Sequence, residues 1–93
     1  GMPVLPAEIE NYLMNFPEVK EVAAVGIPDL MLGSKVKLFI AFNKGQEPLA
    51  ESKIKELIKE NISRYAEPAE IIVMDELPKT VIGKINVLAL EKM

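Results

Sequence analysis

The sequence predicts an α+β fold in which helices pack on a small three-stranded sheet, in the order α-β-β-α-β-α. Three observations lead there. Apolar residues recur every three to four positions over 6–16 and 50–62, the spacing of helices with one buried face. Residues 35–43 alternate between apolar and polar in the manner of a strand. Turn-forming Pro, Gly and Asp residues punctuate the segments and leave only short connections. With 93 residues the chain has room for one compact domain, 1–93, and not for a second core.

The first helix is expected over 6–16, with Ile9, Leu13 and Phe16 on its apolar face and Tyr12 beside them. Pro6 suits the first turn, Glu8 and Glu10 complement the helix dipole, and Pro17 ends the helix. Residues 20–27, KEVAAVGI, read as a strand with so little polar interruption that a central position is expected. Pro28-Asp29 is a turn signal. In the next strand, 35–43, Val36, Leu38, Ile40 and Phe42 share one face, and Lys35, Lys37, Phe39 and Ala41 share the other. Lys44-Gly45 closes it.

The second helix, 50–62, buries Ile54, Leu57, Ile58 and Ile62 and turns Lys53, Lys55, Glu56, Lys59 and Glu60 to water. A third strand is expected over 69–74, then a loop, then a short helix through Val87, Leu88 and Leu90 capped by Asn86. No repeat, low-complexity tract or interior linker is present.

Hydrophobic residues make up 49% of the chain, too many for a disordered segment. The net charge of -3, with two Tyr, three Phe and no Trp, argues against a nucleic-acid partner. The absence of Cys and His removes thiol nucleophiles, disulfides, imidazole acid–base chemistry and the usual zinc sites. No apolar run approaches the roughly 20 residues that span a bilayer, so no membrane partner is expected. Gly1-Met2-Pro3 lacks the pattern of a signal peptide, and a cytoplasmic location is expected. Gly1 before Met2 reads as a remnant of tag removal. Met2 is then either a native start of a free-standing product or an introduced boundary.

Residues 77–85, LPKTVIGKI, form the least regular stretch. Gly83 permits a backbone conformation that carries the Lys84 stem to an exposed edge. An ammonium there suits phosphate and carboxylate oxygens. On spacing alone an ordinary solvated lysine beside a turn explains the pattern better.

Two longer blocks add to this. PAEIENYLMNFPEVKEVAAVGIPD at 6–29 and SRYAEPAEIIVMDELPKTVIGKI at 63–85, with Gly33 between them, resemble the C-terminal domain of the adenylate-forming superfamily. That superfamily holds acyl- and aryl-CoA synthetases, peptide-synthetase adenylation domains and luciferases. The resemblance covers nearly the whole chain, and the Leu-Pro-Lys-Thr-x-x-Gly-Lys-Ile spacing is its most specific part.

The resemblance implies a mobile lid of an ATP-dependent acid–thiol ligase, inactive alone. A carboxylate attacks the α-phosphate of ATP, and a thiol then takes the acyl group. Lys84 would be the catalytic lysine of the first half, neutralising oxygens that otherwise repel. Gly26, Lys59 and Gly83 are the implied cofactor-binding positions. Gly26 would lie near the pantetheine path, or be a sheet position that needs close packing. Lys59 would meet the CoA phosphate, or be a solvated helix lysine. Gly83 serves the Lys84 loop, and Thr80 is expected to bond the backbone of that loop. ATP and CoA would be used by the complete enzyme, with Mg held by a large N-terminal adenylation domain supplied in cis or trans. The acyl acceptor would be CoA or a carrier-protein thiol. None of these is expected to bind this chain tightly.

The sequence departs from the family where Ala66 follows Arg64-Tyr65, where Leu32 and Ser34 flank Gly33, and where Val87 and Leu88 replace a basic pair. Apolar residues at 87 and 88 suggest burial against this domain or a partner. The lost basic residues also fit an alternative, a free-standing non-catalytic homologue acting as a protein-interaction module.

Overall fold

The computed structural model describes residues 6–29, 33–63 and 66–93. Leu32 and the Arg64-Tyr65 pair lie outside them. Helix α1 (Pro6–Leu13) buries Ile9 and Leu13 completely. It ends at Leu13 rather than at 16. The backbone tightens ahead of Pro17, with Asn15 N–H bonding Tyr12 O at 3.3 Å and Phe16 N–H bonding Leu13 O at 3.1 Å. Phe16 still covers the core from the turn, its ring edge-on to Tyr12 at 5.5 Å.

Strand β1 (Val19–Asp29) runs antiparallel to β2 (Gly33–Phe42), from Val19 opposite Phe42 to Asp29 opposite Gly33, with one irregularity between Val19 and Glu21. Helix α2 (Glu51–Asn61) then returns the chain so that β3 (Glu70–Val73) lies parallel to β2. Helix α3 (Val87–Glu91) follows, and Asn86 caps it by accepting the Ala89 N–H at 3.1 Å, as its sequence position predicts.

The sheet order is β1-β2-β3, which corrects the expectation that residues 20–27 form a central strand. The central strand is β2, and β1 lies at an edge. Its apolar run arises because both its faces are covered. Val22 and Ala24 face α1 and α2, while Ala23 and Val25 face α3. The strand also runs through Pro28-Asp29 rather than turning there. Pro28 sits opposite Ser34, which an edge strand tolerates because its missing N–H faces away from the ladder.

That edge has a defined parity. Val36 O and Ile40 O bond Ala69 N–H and Met74 N–H on the β3 side. Their partners Gly26 and Val22, and Ala24 between them, therefore direct backbone groups away from β2. Ala24 N–H is taken by Glu10 Oε2 at 2.9 Å. Glu10 thus blunts an open edge, where the sequence reading gave it only to the helix dipole.

The sheet separates two apolar clusters. On one side Ile9, Leu13, Ile54 and Ile58 of α1 and α2 cover Val22, Leu38, Ile40 and Ile71. On the other side Leu77 and Leu90 cover Ala23, Val25, Phe39 and Ala41. The two faces of 35–43 fall as the alternation predicts, and no described helix is long and apolar enough to cross a membrane.

Candidate functional site: the lysine hairpin

The stretch Pro78–Asn86 closes on itself as a small hairpin. Lys79 pairs antiparallel with Ile85, and Asn86 N–H donates to Pro78 O at 2.8 Å. Thr80 clasps Lys84 twice, because its N–H donates to Lys84 O at 2.7 Å and its hydroxyl accepts from Lys84 N–H at 3.3 Å. Thr80 O also accepts from Gly83 N–H at 3.0 Å.

Gly83 has φ +88°, in the region that L side chains rarely adopt, and a Cβ there would meet nothing within 4 Å. The requirement for glycine is therefore one of backbone, not of space. At the tip Val81 is fully exposed and Ile82 is 75% exposed. Lys84 is exposed too, and no hydrogen bond or ion pair engages its ammonium among the described residues.

The hairpin's base is fastened to the body. Leu77 is buried and Ile85 half-buried in the smaller cluster. Lys79 forms an ion pair with Glu21 of β1, reaches Glu76 at 3.7 Å and donates to Leu77 O at 3.0 Å. The Lys79 ammonium holds the Glu21 carboxyl below the usual carboxylate range, against burial that pushes it up. The Glu21 carboxylate in turn raises Lys79 above the usual lysine range. Both groups therefore stay charged at every pH between those two ordinary ranges. Nearby, Lys20 Nζ donates to Asp75 O at 3.4 Å.

Four residues were singled out in the sequence, and they do not converge on one pocket. Gly83 and Lys84 share the hairpin. Gly26 lies exposed on the β1 edge, beside a groove of about 490 Å³ also lined by Val25, Ile27, Lys37, Leu90 and Glu91. A Cβ at Gly26 would meet nothing within 4 Å, so the close-packing explanation of this glycine is overturned. Lys59 is exposed on α2, whose buried residues lie on the sheet face opposite Leu77 and Leu90.

Val87 and Leu88 are 46% and 70% exposed, which excludes full burial against this domain. Among the described residues no cluster of His, Cys, Asp or Glu could hold a metal ion. Sequence reasoning passed over Glu21 and Lys79. The available signal was a carboxylate in β1 on the same face as Ala23 and Val25, where only a cation could make it tolerable.

Residues 8–84 match the family described as AMP-binding enzyme C-terminal domain. The chain is 42% identical over 89 residues to 4-hydroxybutyrate–CoA ligase 1 of Metallosphaera sedula, covering 94% of this chain and 16% of that protein. It is 39% identical over 85 residues to the 2-succinylbenzoate–CoA ligase of Lactococcus lactis, covering 91% of this chain and 18% of that protein. Among solved structures, Brucella canis acyl-CoA synthetase superposes with a TM-score of 0.80 at 35% identity, over 94% of this chain and 16% of that one. Apo MatB of Rhodopseudomonas palustris superposes with a TM-score of 0.84 at 27% identity, over 96% of this chain and 18% of that one. The chain thus spans less than a fifth of the length of each of these proteins.

Proposed function

We propose that this chain, which belongs to the family of AMP-binding enzyme C-terminal domains, is the mobile small domain of an acyl-CoA-synthetase-type ligase. Residues 1–93 act as one lid on a large adenylation domain. Lys84 serves acyl-adenylate formation, and a different face closes the site where the thiol takes the acyl group.

The observation that carries this reading is the state of Lys84. Its backbone is clasped by Thr80 on both sides, while its ammonium is exposed and unpartnered among the described residues. A positive charge held at a fixed backbone position, yet free of any internal acceptor, is suited to oxygens brought by another body. ATP and a carboxylate would bring such oxygens together. One ammonium between carboxylate and α-phosphate would offset their repulsion and help hold nucleophile and phosphorus in line. ATP supplies the adenylyl group, and CoA or a carrier-protein thiol accepts the acyl group. Mg, where used, would be held by the large domain.

The β1 edge supports the second half of the reading. Gly26 offers an exposed backbone without a side chain, next to an open groove. A slender amide-bearing arm such as pantetheine could approach there and meet backbone groups. The exposed Val81, Ile82, Val87 and Leu88 lie in sequence on either side of Lys84, where a large domain would cover them.

The test is carboxylate-dependent ATP–pyrophosphate exchange by this chain together with its large domain. Lys84→Ala should lower the exchange rate by about 10²–10³-fold, the cost of removing one preorganised charge donor. It should lower transfer from preformed acyl-adenylate far less. Equal exchange in wild type and variant would refute the role of Lys84.

A further inference from the structure

We infer that Glu21 and Lys79 are positioning residues for the lysine hairpin, an ionic tether that fixes where Lys84 stands; this rests on the ligase reading above. The path from tether to lysine is short. Lys79 adjoins Thr80, and Thr80 clasps both the N–H and the C=O of Lys84. Lys79 also faces Ile85 across the hairpin, so it touches both strands that lead to Lys84.

Beyond its base the hairpin has little else to hold it. Val81, Ile82, Gly83 and Lys84 are all exposed. Without a second attachment it could swing about Leu77 and Ile85. Glu21 provides that attachment from a different element. It sits on β1 beside the strand's irregularity, with its side chain 14% exposed, and Lys79 is 28% exposed.

The tether is costly as a device for stability alone. Holding the Glu21 carboxylate where its side chain is only 14% exposed costs hydration. A part-buried ion pair seldom exceeds a well-packed apolar pair in stabilisation, but it fixes geometry more sharply. The two side chains also divide the labour of the loop's lysines. Lys79 is committed to three internal oxygens from Glu21, Glu76 and Leu77, while the Lys84 ammonium engages none among the described residues.

The experiment compares Glu21→Gln, Lys79→Met and the double variant in the complete ligase, measuring the two half-reactions separately with Lys84→Ala alongside. Each single variant should slow pyrophosphate exchange about ten- to a hundredfold in kcat, the scale of a small misplacement. The KM for ATP should change little, and transfer from preformed acyl-adenylate should stay within about twofold. The double variant should be no worse than either single. Unchanged exchange, additive losses, or equal slowing of both half-reactions would overturn the tether, the last because a merely destabilised domain behaves so.

A second measurement stands apart from catalysis. In the 93-residue chain, Glu21→Gln should cut amide-exchange protection at Thr80 and Lys84 about tenfold, with β2 amides unchanged. Unaltered protection overturns the tether whatever Lys84 does. If Lys84→Ala leaves exchange intact, the ligase role of Lys84 falls and the positioning role with it. If Lys84→Ala abolishes exchange while Glu21→Gln and Lys79→Met do not, only the tether falls.

Discussion

A lysine that faces water keeps its hydration and gains little by pairing, whereas a lysine beside a poorly hydrated carboxylate gains a great deal. Lys84 and Lys79 are these two cases within one loop. Spacing alone leaves Lys84 an ordinary solvated residue, and nothing in the spacing shows that Lys79 is the one that pairs internally. What separates them is Glu21, which is distant in the chain and becomes a neighbour only when β1 runs beneath the hairpin. Gly83 was easier to read, because a glycine in an irregular loop before an exposed lysine has a backbone reason, and its φ of +88° is that reason. Gly26 is free of such strain, and a Cβ there would meet nothing within 4 Å. Gly26→Leu should therefore leave the melting temperature within a few degrees of wild type. It should slow acyl transfer to CoA tenfold or more, with pyrophosphate exchange nearly unchanged. Single-turnover transfer from acyl-adenylate checks this. A variant that transfers normally would remove Gly26 from the thiol path.

At the scale of elements, the helices were legible because one apolar stripe on a polar helix admits one placement. Ile54 and Ile58 are fully buried where the periodicity puts them. Edges were less legible. β1 carries apolar residues on both faces, the pattern of an interior strand, yet among the described residues it has a strand partner on one side only. Composition reports which faces are covered, and here α1, α2 and α3 cover both. It does not report which backbone groups are paired. The compensation at the edge comes from Glu10, whose carboxylate takes Ala24 N–H from across the chain. Glu10→Ala should cost about 1 kcal/mol or somewhat more, the scale of one part-buried hydrogen bond to a charged acceptor. Glu10→Gln, which keeps an acceptor oxygen, should cost less. Urea unfolding of the two variants measures the difference, and equal losses would mean that packing rather than the hydrogen bond is at stake. The exposed face of α3 was half legible. Val87 and Leu88 announce an apolar surface, and the structure leaves that surface uncovered.

For the molecule as a whole, the order of elements and the alternation in β2 were enough to predict a layered α+β arrangement, since a strand apolar on both faces must have cover on both sides. The division of that cover was not predictable, because it depends on which helix crosses which face. The result is uneven. Among the described residues one face of the sheet carries eleven buried apolar side chains and the other six, two of the six being alanines. The lysine hairpin and α3 belong to the thinner side, through Leu77, Ile85 and Leu90. A thin layer opens at lower free energy than a thick one, and opening of one layer need not disturb the other. Amide protons of Leu77 and Leu90 should then exchange through a local opening well below the global unfolding energy, while those of Ile40 and Ile58 exchange only with the whole. Denaturant-dependent hydrogen exchange would resolve the two classes, and a single common energy would refute them. The hairpin would thus have a private equilibrium, able to detach and reseat many times within the lifetime of one folded molecule.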